Sequence, residues 1–295
     1  LYAIDDPRRA DAFQIYYIGI QIAVIGSPLI CGTLGESVGW HWGFGAAGVG
    51  MLIGLAVYLI GRPSLPKEIS RRERVKRPPL SQRDKRAMVM LILLIPVLAL
   101  SLVGNQEIFN AYLIWGERNF QIVFFGRTMP ITWMLTVDAF FSTILMAASI
   151  LFWRWWSRHR PEPSEITKMA IGVSISTLAP AVLAMASAVV RSTGHPVSLA
   201  WAVAFHMLND IGFANVLPVG LALYSRAAPK SFEGMMIAVY YLQLFLGNLL
   251  TGYLGGLLDT MPAVNFWLLH AALMLISAAI LFVASRFAGK VLAPS

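Results

Sequence analysis

Charge is scarce in this chain. Asp, Glu, Lys and Arg make up 13% of the 295 residues, about half the share of a typical soluble domain, and 57% of the residues are hydrophobic. That excludes a disordered chain and an ordinary water-soluble enzyme. Cysteine is scarcer still. Cys31 stands alone in an apolar stretch, so no intrachain disulfide can form, a secreted disulfide scaffold is excluded, and the thiol says nothing about compartment. An initiator methionine is also lacking, since the first residue is Leu1.

Acidic residues number only 15 against 23 basic ones, giving +8. The placement of that excess decides its meaning. Ten Lys or Arg against three acids lie between Arg62 and Arg86, so one hydrophilic segment carries +7 of the +8. A nucleic-acid binder spreads its basic residues over a face or interleaves them with aromatics; this pattern suits a cytoplasmic loop under the positive-inside rule, and no nucleic-acid partner is expected.

What the chain has in quantity is long apolar runs. Segments able to cross a bilayer fall at about 13–34, 42–61, 87–115, 129–153, 169–190, 197–224, 235–258 and 263–285, which predicts eight membrane helices and an all-α polytopic membrane protein. With the 62–86 loop inside, 20 of the 23 basic residues fall on the cytoplasmic side, and only Arg118, Arg127 and Arg191 fall outside. Both ends are therefore expected in the cytoplasm, with the protein multi-pass in the inner or plasma membrane. The first span is too long for a cleavable signal and lacks a small-residue cleavage site.

Gly and Ala recur at four-residue spacing in 43–54, and Pro28, Pro96, Pro130, Pro180 and Pro218 lie in or at the edges of spans. Close helix packing and hinges of a rocking protein both account for these. Ionisable groups at bilayer depth are costly and mark function by default. Three acids qualify: Glu107, with Asn110 on the same face; Asp138; and Asp210, in a cluster with His206 and Asn209. Glu107 has an alternative place near the outer headgroups, where Tyr112 and Trp115 would form an aromatic belt. No Lys or Arg is embedded near the three acids, so they are expected either to be protonated or to take their cations from elsewhere. Two polar stripes suggest a lined pathway: Gln14, Tyr17, Gln21 and Pro28 in the first span, and Tyr240, Gln243, Gly247 and Thr251 in the seventh.

Several segments carry a family resemblance. Asp6-Pro-Arg-Arg-Ala-Asp-Ala-Phe-Gln-Ile-Tyr-Tyr-Ile-Gly-Ile-Gln-Ile-Ala resembles the opening of the fifth helix of proton-dependent oligopeptide transporters, a branch of the major facilitator superfamily. Gly39-Trp-His-Trp-Gly-Phe-Gly-Ala-Ala-Gly-Val-Gly-Met51 resembles their sixth helix, and Ala228-Pro-Lys-Ser-Phe-Glu-Gly through Gly247-Asn-Leu-Leu-Thr-Gly-Tyr-Leu-Gly-Gly256 is similar to their loop and eleventh helix. The resemblance implies a major facilitator fold whose eight helices correspond to helices 5–12. Residues 1–61 would be the last two helices of the N-terminal bundle, 62–86 the basic inter-bundle loop, and 87–295 the six-helix C-terminal bundle. The first four helices, which bear the family's Glu-x-x-Glu-Arg motif and a lysine, would be missing, and with them the expected cations.

Position by position, Gln21 stands where the family has an asparagine that contacts the peptide backbone. The family's Glu-Gln pair of helix seven reads Gln106-Glu107 here, displacing the carboxylate by one residue. Asp138 matches a pocket asparagine and Tyr240 a pocket tryptophan. Phe213 replaces a glutamate that holds the peptide amino terminus, and Asp210, one turn earlier, is expected to take its role. The resemblance thus implies a non-enzymatic secondary transporter, coupling di- or tripeptides or similar small zwitterions to protons by alternating access. Its substrate-contacting residues would be Tyr17, Gln21, Glu107, Asn110, Asp138, Asn209, Asp210, Tyr240 and Gln243, with Glu107 and Asp210 as proton carriers. Partners would be a small peptide, protons, lipid and the missing helices, with neither cofactor nor metal. The alternatives are a non-transporting remnant or receptor-like relative, and an intramembrane aspartyl protease using Asp138 and Asp210, for which the Gly-x-Gly-Asp context is absent.

Overall fold

The computed structural model describes residues 19–20, 22–64, 80–229 and 232–292. These are built from helices α1 (Ile22–Ser37), α2 (Trp40–Gly61), α3 (Gln82–Ser101), α4 (Val103–Gln106), α5 (Ala111–Asn119), α6 (Trp133–His159), α7 (Glu165–Ser176), α8 (Leu178–Thr193), α9 (Ala200–Ala227), α10 (Glu233–Gly255) and α11 (Ala263–Val291). Among the described residues the only strands are β1 (Val123–Phe124) and β2 (Arg127–Thr128), an antiparallel hairpin. Phe125 and Gly126 at its tip both have positive φ, 51° and 74°, as a two-residue type I′ loop requires.

Among the described residues, six segments are long and apolar enough to cross a membrane: Trp40–Ser64, Trp133–His159, Glu165–Thr193, Ala200–Ala227, Glu233–Asp259 and Ala263–Phe287. A seventh is the bent pair Gln82–Ser101 and Val103–Phe109, with 48° between its halves. The first expected span is represented by Ile22–Ser37, and its earlier part lies outside the described residues.

Contacts divide the chain into two units. Among the described residues, the first unit holds α1, α2, the hairpin and the start of α6 as far as Phe140. Gly39, at φ 146°, makes the turn between α1 and α2. A side chain at Gly43 would fall 2.5 Å from the Cys31 carbonyl, so the small residues of that stretch let the two backbones touch. Glu36 accepts hydrogen bonds from the backbone N–H of Ile131 (2.9 Å) and Thr132 (3.0 Å). These are the unsatisfied donors at the N-terminus of α6, where a carboxylate is favoured by the helix dipole.

The second unit holds α3–α5, the rest of α6 and α7–α11. Ser81 and Asp84 start α3 with a reciprocal capping box, and Gly194, at φ 70°, ends α8 in the left-handed conformation. Helix α9 packs against α7, α8 and α10, and α11 against α3, α7 and α8. Leu91, Leu98, Val103, Met169, Val173, Tyr224, Met236, Tyr240 and Met274 fill the core between them. A close crossing lies between α7 and α9, where a side chain at Gly172 would come 2.6 Å from Asn215 Cβ and one at Gly212 2.3 Å from Ser176 Cβ. In lipid, where burial of apolar surface drives little association, such close packing carries much of the stability.

Candidate functional site

The third span does not run on as one helix. Helix α3 stops at Ser101, a four-residue turn α4 follows at an angle, a 3₁₀ turn covers Glu107–Phe109, and Asn110 (φ −136°, ψ −110°) leaves helical space before α5 begins. A broken helix exposes backbone donors and acceptors, which the membrane tolerates only where protein satisfies them. Glu107 supplies one answer. Its Oε2 accepts the N–H of Ala111, the first residue of α5, at 3.1 Å.

The other carboxyl oxygen, Oε1, lies 2.9 Å from Nε2 of His270 on α11, and both side chains are completely buried. Glu107 is enclosed by protein, and Tyr112 and Trp115, both buried, form no exposed belt. His270 faces Glu107 within the same unit. The sequence carries the signal, a histidine amid Phe266-Trp-Leu-Leu and Ala-Ala, though with no Lys or Arg beside it the run reads equally as aromatic packing.

Other polar groups gather round the break. Asn110 donates to the Thr251 carbonyl of α10 at 3.3 Å. A side chain at Gly104 would come within 3.9 Å of Asn209 Oδ1 on α9, and one at Gly247 within 3.9 Å of Gln106 Cγ. Tyr112 stacks on Phe205 at 4.8 Å and its hydroxyl meets His206 Nε2 at 2.9 Å. Asn209 donates weakly to Asp210 at 3.4 Å, and both are buried. The result is a polar seam inside the second unit, formed by α4, the 3₁₀ turn, α9, α10 and α11. A cavity of about 370 Å³ lies nearby at the ends of α5, α8 and α11, lined by Trp115, Asn119, Ser187 and Arg191 among others.

The expected stripe Tyr240, Gln243, Gly247 and Thr251 does share one buried face of α10. Its members differ in environment. The Tyr240 hydroxyl donates to the carbonyls of Leu217 (2.7 Å) and Val216 (3.2 Å), beside Pro218 in α9, and its ring fills the space left by Gly220. Gln243 is fully buried and reaches the Tyr240 hydroxyl only loosely; neither amide atom makes a well-formed hydrogen bond among the described residues, nor do Asn209 Oδ1 and Thr251 Oγ1. Phe213 packs against the apolar core. Asp138 belongs to the first unit, half-buried on α6. Tyr17 and Gln21, with Gln14, lie outside the described residues. Besides His270, sequence reasoning missed Glu36 and Asn215, whose Oδ1 accepts from Trp153 Nε1 at 2.6 Å and Ser149 Oγ at 3.1 Å.

Comparison with known proteins places this architecture. The model of the POT family matches residues 1–78 and 79–270. A peptide transporter of Yersinia enterocolitica is 25% identical over 324 residues, covering 87% of this chain and 63% of the relative. The di-/tripeptide transporter of Lactococcus lactis subsp. cremoris is 24% identical, covering 82% of this chain and 61% of the relative. The chain thus spans under two thirds of the length of these curated relatives. Among solved structures, a peptide transporter POT in complex with sulfate superposes with a TM-score of 0.85 at 19% identity, over 98% of this chain and 70% of that one. The POT family transporter PepTSo gives 0.82 at 13% identity, over 98% and 74%. The fold is therefore the all-α, multi-pass fold of these major facilitator transporters, and the relatives named are transporters rather than enzymes. The chain belongs to the POT family.

Proposed function

We propose that this chain forms the proton- and substrate-handling part of a secondary transporter that moves di- or tripeptides, or similar small zwitterions, together with protons by alternating access. The observation that carries the proposal is Glu107, a fully buried carboxyl at the break of a membrane span, in a family whose relatives include peptide and di-/tripeptide transporters. An ionisable group kept at that depth has a use, since it is expensive to insert. One solved relative is described in complex with alafosfalin and another in complex with 5-aminolevulinic acid, the latter an amine and a carboxylate on one short chain. Such a ligand needs a carboxylate for its ammonium and a donor for its carboxylate.

In this reading Glu107 carries the proton with Asp210 as the second acid, and Asn110, Asn209, Gln243 and Asp138 supply substrate contacts. Tyr17 and Gln21 contribute from the first span and Tyr240 shapes α9. The break in the third span and the close glycine crossings permit rigid parts to rock about a central site, with the protein in the cell membrane and its basic 62–86 loop inside. The test is uptake of a labelled dipeptide into proteoliposomes, with and without an inward proton gradient. Accumulation driven by the gradient is expected, and Glu107→Gln should abolish accumulation while leaving peptide exchange at equal concentrations. Accumulation that ignores the gradient, or that survives Glu107→Gln, overturns the assignment.

A further inference from the structure

We infer that Glu107 and His270 form a one-proton pair of zero net charge, and that His270 is the positioning residue that ties proton uptake to the cap of α5. The inference follows from counting donors. His270 Nδ1 lies 2.8 Å from the Phe266 carbonyl, which can only accept, so Nδ1 bears a hydrogen. Nε2 faces Glu107 Oε1 at 2.9 Å, and two bare lone pairs at that distance repel, so one proton lies between them. Imidazolium with carboxylate and imidazole with carboxylic acid are the two ways to write this. Both are neutral overall.

A second proton has one place to go, Oε2, because Nδ1 is occupied and Oε1 already receives Nε2–H. Oε2 is the atom that accepts the Ala111 N–H. Protonating it replaces an anionic acceptor by a neutral hydroxyl, a weaker acceptor for the N–H at the N-terminus of α5. Taking up the second proton therefore loosens the start of α5, and giving it back restores the cap. Proton and helix movement are coupled through one oxygen atom.

The surroundings leave the pair to itself. Phe266 and Trp267 stand 4.4 and 5.8 Å from the imidazole ring, and the Trp115 edge meets Trp267. The helices packed on α11 carry titratable groups only near their ends: Arg83, Asp84, Lys85 and Arg86 in α3, Glu165 and Lys168 in α7, and Arg191 in α8. Asp259 lies in the 3₁₀ turn that precedes α11. On the α9 side stand His206, joined to Tyr112, and Asp210. From α10 come Tyr240, which is turned to the α9 carbonyls, Tyr241, Tyr253 and the terminal Glu233.

The test combines melting with the pH profile of uptake, on the same protein. In Glu107→Gln the amide can donate to His270 Nε2 and accept from Ala111, so Tm should stay near wild type. His270→Leu leaves a bare buried carboxylate and should lower Tm on the order of 10 °C, and Glu107→Gln/His270→Leu should recover most of that loss. If Glu107→Gln is as damaging as His270→Leu, or the two losses simply add, the pair is not self-neutral and the inference fails. His270→Gln keeps a donor to Glu107 but has no ring nitrogen to take the shared proton, so the pH dependence of uptake should change with Tm retained. An unchanged profile reduces His270 to packing and overturns its role. The uptake arm rests on the transport proposal; wild-type protein without proton-driven uptake sinks that proposal, while the melting cycle still decides the pair.

Discussion

At the scale of single residues, the sequence disclosed acids more readily than their partners. Glu107 stood out because a carboxylate in an apolar run has no bland explanation. His270 did not, since a lone histidine reads equally well as a packed aromatic ring, and only the three-dimensional meeting of α11 with the 3₁₀ turn gives it meaning. Gln243 is legible as a glutamine flanked by aliphatics, and its burial with no better contact than a loose one to the Tyr240 hydroxyl sharpens the question it poses. A buried amide left so poorly satisfied costs roughly 1–3 kcal/mol. Gln243→Leu, similar in volume, should therefore raise Tm by a few degrees in a melting experiment on purified protein. The same variant should weaken dipeptide binding, read as a raised KM for uptake or a loss of ligand-induced stabilisation. A lowered Tm would mean that the amide serves packing, and unaltered KM would remove Gln243 from the substrate contacts.

Among the secondary-structure elements, apolar run length located every span that the described residues cover, because hydrocarbon thickness fixes how many apolar residues a helix needs. It missed the break in the third span. Residues 87–115 are apolar enough to predict one helix, yet Gly104 and Asn105 favour it weakly and the side-chain bonds of Glu107 and Asn110 replace the lost ladder. Local sequence cannot reveal bonds to residues 141 and 163 positions away. Small-residue spacing fared in the same mixed way: it identified Gly43 as a close approach, but not the crossing of Gly172 with Gly212, which lie in different helices. Gly212→Ala places a methyl 2.3 Å from Ser176 Cβ and 2.9 Å from the Gly172 carbonyl. Forcing α7 and α9 apart should cost about 1–3 kcal/mol, measured as a lowered Tm. Adding Ser176→Gly should return part of the loss, since it clears the nearest atoms and leaves the carbonyl in place. Full tolerance of Gly212→Ala would show that the crossing has slack.

For the molecule as a whole, the scarcity of charge is as informative as its location. Twenty of the 23 Lys and Arg fall on the loops expected to alternate to one side, and that asymmetry predicts the membrane orientation, because basic residues near helix ends are retained in the cytoplasm. Helix α6 offers a direct check, since it is continuous from Trp133 to His159, which at 1.5 Å per residue is about 40 Å and enough to cross the bilayer. Thr128 in the hairpin before it and Ser157 near its end are both exposed. The chain's single cysteine makes the experiment clean: Cys31→Ser removes the only native thiol, after which Thr128→Cys or Ser157→Cys provides one label site. A membrane-impermeant maleimide added to intact cells should modify Thr128→Cys and spare Ser157→Cys, which should react once the membrane is opened. The reverse pattern would invert the topology and put the ten basic residues of 62–86 outside. Labelling of both sites in intact cells would mean that α6 does not span at all, and a transport pathway built on it would fall with that result.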